Sequence, residues 1–219
     1  MDYLDTVISY IEGKVNFEEF YRIIQSDDAF ACWINNNAPG FWFSYVTNVT
    51  KSDITINRVP YSIRSELKSW EEREPVGSIN YKYELQTTME VFLKEGFPEL
   101  SVKPDDTIKE MYELSLAAIP EYIEGIEITK NGIIDGILND CPSSGSKIEK
   151  IRFIKSRIRE VFHLEDKKYP RWRQIPNWPV MHGKPMKYMK TTVKVPNEWY
   201  RHCFIDLETG EERVIDDMA

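Results

Sequence analysis

Histidine and cysteine are the side chains here best suited to metal or nucleophile chemistry, and this 219-residue chain has three of each. A metal site needs ligands that converge, usually from Cys or His at short spacing. His163, His182 and His202 have no such neighbour. His202 and Cys203 are adjacent on a predicted strand, so they point to opposite faces and cannot form a dyad within it. Cys32, Cys141 and Cys203 are odd in number and far apart, which predicts reduced, buried thiols rather than a disulfide framework. The sequence also lacks G-x-S-x-G, a Walker-type lysine loop, G-x-G-x-x-G and H-E-x-x-H. The carboxylate pairs Glu71-Glu72, Asp105-Asp106 and Asp216-Asp217 fall in cap or surface contexts, whereas an acid and base pair needs one carboxyl in an apolar setting. The expectation is a chain that is not an enzyme, with no metal and no cofactor.

The densest chemistry is basic and aromatic. Between residues 166 and 201, nine Lys and Arg face only Asp166 and Glu198, and Trp172, Trp178, Tyr188, Trp199 and Tyr200 lie among them. Cations interleaved with aromatics suit single-stranded nucleic acid, through phosphate contacts and base stacking. On that reading the surface is Arg171, Trp172, Arg173, Lys184, Lys187 and Lys190, and the protein is a nucleic-acid-associated regulator. The prolines beside aromatics and apolar residues, Tyr169-Pro170, Ile175-Pro176 and Trp178-Pro179, equally describe a compact hydrophobic clasp. Its lysines would then face the protein's own acids, because residues 1–145 hold 12 Lys/Arg against 25 Asp/Glu and residues 146–219 hold 16 against 11. An acidic N-terminal part argues against nucleic acid or an anionic membrane as its partner.

These residues must be positioned by helices and then strands. Leu4, Val7, Ile8 and Ile11 keep the i, i+3, i+4, i+7 spacing of a helix ended by Gly13, and Phe17, Phe20, Tyr21 and Ile24 repeat it behind an Asn16 cap. Further helices are expected around Phe30, Trp33 and Ile34, from Tyr61 to Trp70, from Ile79 to Lys94, from Pro104 to Pro120 and near Ile133–Leu138. Phe41–Thr55 is aromatic and β-branched without alternation, and is either a buried strand or an apolar loop. Cys141–Ser146 is a linker candidate. Lys147 to about His163 is an amphipathic helix with Ile148, Ile151, Ile154, Ile158, Val161 and Phe162 inward. Val180-Met181, Met186–Val193, Trp199–Asp206 and Glu212–Asp216 predict an antiparallel meander, its last turn at Glu208-Thr209-Gly210.

The predicted fold is therefore α+β, with a mainly helical body over 1–165 and a small aromatic, basic β-module of three to four strands over 166–219. No apolar run reaches the roughly 20 residues needed to cross a bilayer. The acidic N-terminus lacks the basic region of a secretory signal, which points to the cytoplasm.

At Tyr169-Pro170-x-Trp172-x-Gln174, Trp178-Pro179, Gly183-Lys184-Pro185-Met186 and Asp206-x-x-Thr209-Gly210-Glu211, the chain resembles small bacterial immunity proteins encoded beside secreted polymorphic toxins. Ser26-Asp27-Asp28 through Trp33 and Ile119-Pro120-Glu121-Tyr122 give a fainter likeness. Glutamines expected near Met189-Lys190 and at Val214–Asp217 are missing. The resemblance implies a non-catalytic cytoplasmic binding protein that neutralises a toxin by occluding its active surface. If that toxin is a nuclease, its cleft is cationic, and Glu71, Glu72, Glu74, Glu121, Glu124 and Glu127 are the expected acidic contacts.

Overall fold

The computed structural model describes residues 2–49, 54–123, 125–164, 168–196 and 198–218. The chain divides into two compact units, Met1–Lys109 and Glu110–Ala219.

The first unit contains α1 (Tyr3–Ile11), α2 (Phe17–Ser26), α3 (Asp28–Asn37), β1 (Phe43–Val49), β2 (Ile54–Pro60), α4 (Ile63–Glu71) and α5 (Ile79–Gly96). Its helices start where short polar side chains satisfy otherwise orphaned N–H groups. Asn16 Oδ1 accepts from Glu19 N at 2.9 Å, and Asp27 Oδ1 from Phe30 N at 2.9 Å. Asp2, Ser62 and Ser78 cap α1, α4 and α5 in the same way. The predicted stripes turn inward to a core that includes Phe20, Phe30, Ile34, Leu67, Tyr81 and Phe92. Each such side chain contributes about 1.5–3 kcal/mol by leaving water, and Tyr10 stacks on Phe20 at 4.0 Å. Of the ambiguous Phe41–Thr55 segment, Phe43–Val49 forms β1 and Ile54-Thr55 open β2, while residues 50–53 lie outside the described residues. β1 pairs antiparallel with β2, from Phe43 opposite Pro60 to Val49 opposite Ile54. A second β-prone run supplies the ladder partner that periodicity over one segment does not reveal.

α6 (Thr107–Ala118) runs across the division, and the second unit takes in its part from Glu110 on, a 3-10 turn at Glu121–Ile123, α7 (Ile126–Lys130), α8 (Ile133–Asn139) and α9 (Lys147–Val161). β3 (Val180–Met181) and β4 (Lys184–Pro185) form a two-residue ladder, and β5 (Lys187–Val195), β6 (Trp199–Ile205) and β7 (Glu212–Met218) form an antiparallel sheet in the order β5-β6-β7. The α+β reading holds: helices dominate, and a small three-stranded antiparallel sheet lies at the C-terminal end of the sequence. Gly210 takes φ 76° in the last hairpin turn, where Asp206 Oδ2 accepts from Thr209 N at 2.9 Å.

Dividing the chain at 109/110 differs from the boundary expected near 165. The reason is a shared core: Phe162, at the end of α9, meets Trp178 edge to face at 5.2 Å, and Trp178 meets Phe204 of β6 at 5.4 Å. Trp178 is fully buried and its Nε1 donates to Met186 O at 2.8 Å. Cys141–Ser146 is correspondingly a turn between α8 and α9 inside this unit. Ser146 and Glu149 close it with a reciprocal capping box. Two further expectations are corrected. Ile148 is 62% exposed, because α9 buries its stripe from Ile151 onward, with Ile154 and Ile158 deepest. Cys32 is exposed and Cys141 and Cys203 are half-buried, so the three free thiols are not core residues.

Candidate functional site

The six acidic candidates do not share one surface role. Glu72 and Glu121 are exposed and make no side-chain hydrogen bond or ion pair among the described residues. Glu71 accepts from the Tyr21 hydroxyl at 2.6 Å, and Glu74 accepts from Asn80 Nδ2 at 3.1 Å, tying the α4–α5 turn. Glu127 is committed internally: its carboxylate takes both terminal nitrogens of Arg213 and the N–H of Val180. Glu124 lies outside the described residues. Glu71, Glu72 and Glu74 belong to the first unit, and Glu121 and Glu127 to the second.

The basic candidates are also divided. Trp172 is half-buried: its Nε1 donates to Tyr122 O at 2.8 Å, and its ring stacks near Phe204 at 6.1 Å. Arg173 lies 5.4 Å over the Tyr200 ring, and Lys184 pairs with Glu208. Arg171 and Lys190 are exposed, and Lys187 is half-exposed. Trp178 and Tyr188 are buried, so their rings serve the core rather than a stacking platform.

Charge polarity along the chain largely closes on itself within the second unit. Lys147 meets Glu113 at 2.7 Å, Lys150 meets Glu110 at 2.7 Å, Arg157 meets Asp140 at 3.4 Å and Arg213 meets Glu127 at 2.7 Å. Residues 110–219 hold 17 Lys/Arg against 18 Asp/Glu, while residues 1–109 hold 11 against 18. The net negative charge therefore resides in the first unit.

A polar chain missed by the sequence reading crosses the buried side of the sheet. The Tyr188 hydroxyl bonds Thr191 Oγ1 at 2.7 Å, Thr191 Oγ1 bonds His202 Nδ1 at 2.8 Å, and His202 Nε2 lies 3.3 Å from Asp217 Oδ2. Asp217 also accepts the N–H of Arg173 and, at 3.2 Å, that of Gln174. A hydroxyl, an imidazole and a carboxylate in series are the components of a nucleophile relay. Here His202 is 0% exposed, with the Trp172 ring against it at 4.6 Å, and Thr191 is half-buried. The arrangement pins the Arg173-Gln174 backbone to the sheet. Burial lowers the His202 pKa, and the hydrogen bond and charge of Asp217 oppose that shift. The signal was the hairpin: closing it at Glu208–Gly210 sets His202 opposite Ile215, which makes Asp217 its diagonal neighbour.

The other side of the same sheet is open. Register aligns Lys187, Ile205 and Glu212, then Lys190, Cys203 and Val214, with Arg201 opposite Asp216 and Trp199 opposite Met218. Val214 is 47% and Met218 56% exposed, against 0% for His202 and Phe204 on the inner side. Asp216 fixes the centre of this surface. It accepts from Arg201 Nε at 2.8 Å, Arg201 Nη2 at 3.2 Å and Trp199 Nε1 at 3.0 Å. The Arg201 hydrogen bonds lower the Asp216 pKa. The strip thus has Lys187 and Lys190 on β5, Trp199, Arg201, Cys203 and Ile205 on β6, and Glu212 and Asp216 alternating with Val214 and Met218 on β7.

Among the described residues there is no group of three or more His, Cys, Asp and Glu placed to hold a metal ion, and no helix long and apolar enough to cross a membrane. No protein-family model, curated protein or solved structure matches the chain.

Proposed function

We propose that this chain is a non-catalytic binding protein of the immunity type, neutralising a cognate protein toxin by covering its active surface. The observation that carries this reading is the one-sided sheet. β5-β6-β7 buries His202, Phe204 and Tyr188 on one face and leaves Trp199, Cys203, Ile205, Val214 and Met218 wholly or partly accessible on the other. Exposed apolar side chains interleaved with charges of both signs suit a protein interface, and Trp and Arg are the residue types that anchor such interfaces. The Trp199–Asp216–Arg201 contacts hold these anchors in place before binding, which reduces the entropy lost on association. Glu72 and Glu121 remain as accessible acids to steer a basic partner. The resemblance at Tyr169–Glu211 supports the same reading.

The test mixes the purified chain with the product of the adjacent open reading frame and measures complex formation, alongside survival of cells expressing that product. A stable complex and survival are expected. Val214→Lys with Met218→Lys, both at exposed positions, should weaken the complex by about 100-fold and abolish survival. Absence of a complex and of protection, or unchanged binding by the double variant, would overturn the proposal.

A further inference from the structure

The first unit holds an open cavity of about 550 Å³ where the start of β1 meets α4 and α5. Trp42, Tyr61, Trp70 and Tyr83 form aromatic walls, and the Trp42 and Tyr61 rings lie 4.9 Å apart. Two carboxylates, Glu66 and Glu84, and one guanidinium, Arg73, line the same space. Glu66 Oε1 accepts from Trp70 Nε1 at 3.1 Å. Glu84 Oε2 is buried and accepts no hydrogen bond among the described residues, with Arg73 Nη2 at 3.5 Å its nearest cation. The Tyr61 hydroxyl is likewise buried without a partner. Burial raises the Glu84 pKa, against the attraction of Arg73.

Arg73 gives Glu84 Oε2 an ion pair but no hydrogen bond, and although the Glu84 side chain is 38% exposed, an enclosed carboxylate oxygen without a hydrogen-bond donor beside an aromatic cavity requires a physical account. The volume falls within the range of small-molecule sites. Aromatic faces attract cations, and two carboxylates against one guanidinium leave the lining anionic. We infer that the cavity binds a small organic cation, a flat apolar ring bearing a protonated amine. The ring lies among the aromatic walls and the amine donates to Glu84 and Glu66. This site belongs to the first unit and is independent of the sheet surface and its toxin-binding role.

Titration calorimetry of the full chain with phenethylamine, 2-phenylethanol and 3-phenylpropionate tests it. Phenethylamine should bind at least about tenfold more tightly than the alcohol, and the carboxylate should bind more weakly still. Glu84→Gln should abolish the amine's advantage, and Thr87→Trp, at an exposed position on the cavity lining, should block all three. Thermal melts establish that each variant is folded; if Glu84→Gln is not, Thr87→Trp decides. No heat from phenethylamine at millimolar concentration would overturn the assignment. So would equal or tighter binding of the alcohol or carboxylate, an amine preference that survives Glu84→Gln, or unchanged binding by Thr87→Trp.

Discussion

Glu127 and Arg213, 86 positions apart in the chain, meet in a two-pronged ion pair, with Arg213 Nη2 at 2.7 Å from Oε1 and Nη1 at 3.0 Å from Oε2. The same carboxylate accepts from Val180 N at 2.9 Å, so one side chain joins α7, β3 and β7.

Glu127→Ala should therefore destabilise the second unit by about 1–3 kcal/mol, measured by urea denaturation, since it strands a guanidinium and a backbone N–H. Burial opposes ionisation of Glu127, but Arg213 and the Val180 N–H outweigh it and lower the carboxyl pKa. A depressed folded-state pKa gives stabilisation that is complete above the ordinary value of 4.5 and fades as pH falls below it. Glu127→Ala should lose that acid-side component.

His202 provides a separate pH response. Its pKa is lowered from 6.5, first by burial and against the pull of Asp217. Below the ordinary value the unfolded chain takes up a proton that the folded chain resists, so stability falls as pH drops through that region. Melting temperature should decline between about pH 7.5 and 5, by at most about 1.4 kcal/mol of stability per pH unit from this one group. His202→Gln lowers the starting stability but should flatten the decline, and an unchanged slope would refute the assignment.

Gly125 sits at φ 154° against the 176–178 segment. A Cβ there would lie 2.7 Å from Pro176 O and 3.4 Å from Trp178 N. Gly125→Ala should cost about 2 kcal/mol by denaturant unfolding. Displacement of Trp178 should shift the tryptophan emission in the same protein.

The division at 109/110 predicts how the chain can be cut. A fragment spanning 107–219 should unfold cooperatively, because it retains Phe162, Trp178 and Phe204 together. A fragment spanning 166–219 should not, having lost Phe162 and the Tyr122 carbonyl that receives Trp172. Near-ultraviolet circular dichroism of both fragments distinguishes these outcomes.

The start of α2 was legible because its cap is local: Asn16 acts within three residues of itself. The meander was legible for a similar reason, with alternation along Trp199–Asp206 and a glycine at the last turn. The β1–β2 pairing was not, since a strand without alternation does not announce its partner. Nor was the fate of the charges. Lys150 and Glu110 are 40 positions apart and still pair, so counts along the chain overstated the polarity of the surface. Glu127 looked like a solvent-facing acid because Arg213, its counterion, is so distant in sequence. The cavity was invisible for the same reason. Trp42, Tyr61 and Glu84 belong to three separate segments, and only the fold brings them around one space.

β5 departs from regular pairing twice, between Tyr188 and Lys190 and between Val193 and Val195. Such irregularities, with Lys190 and Lys194 nearby, spoil the margin of a sheet as a template for an incoming strand. β5 therefore does not offer the continuous row of backbone groups on which molecules zip together into fibrils.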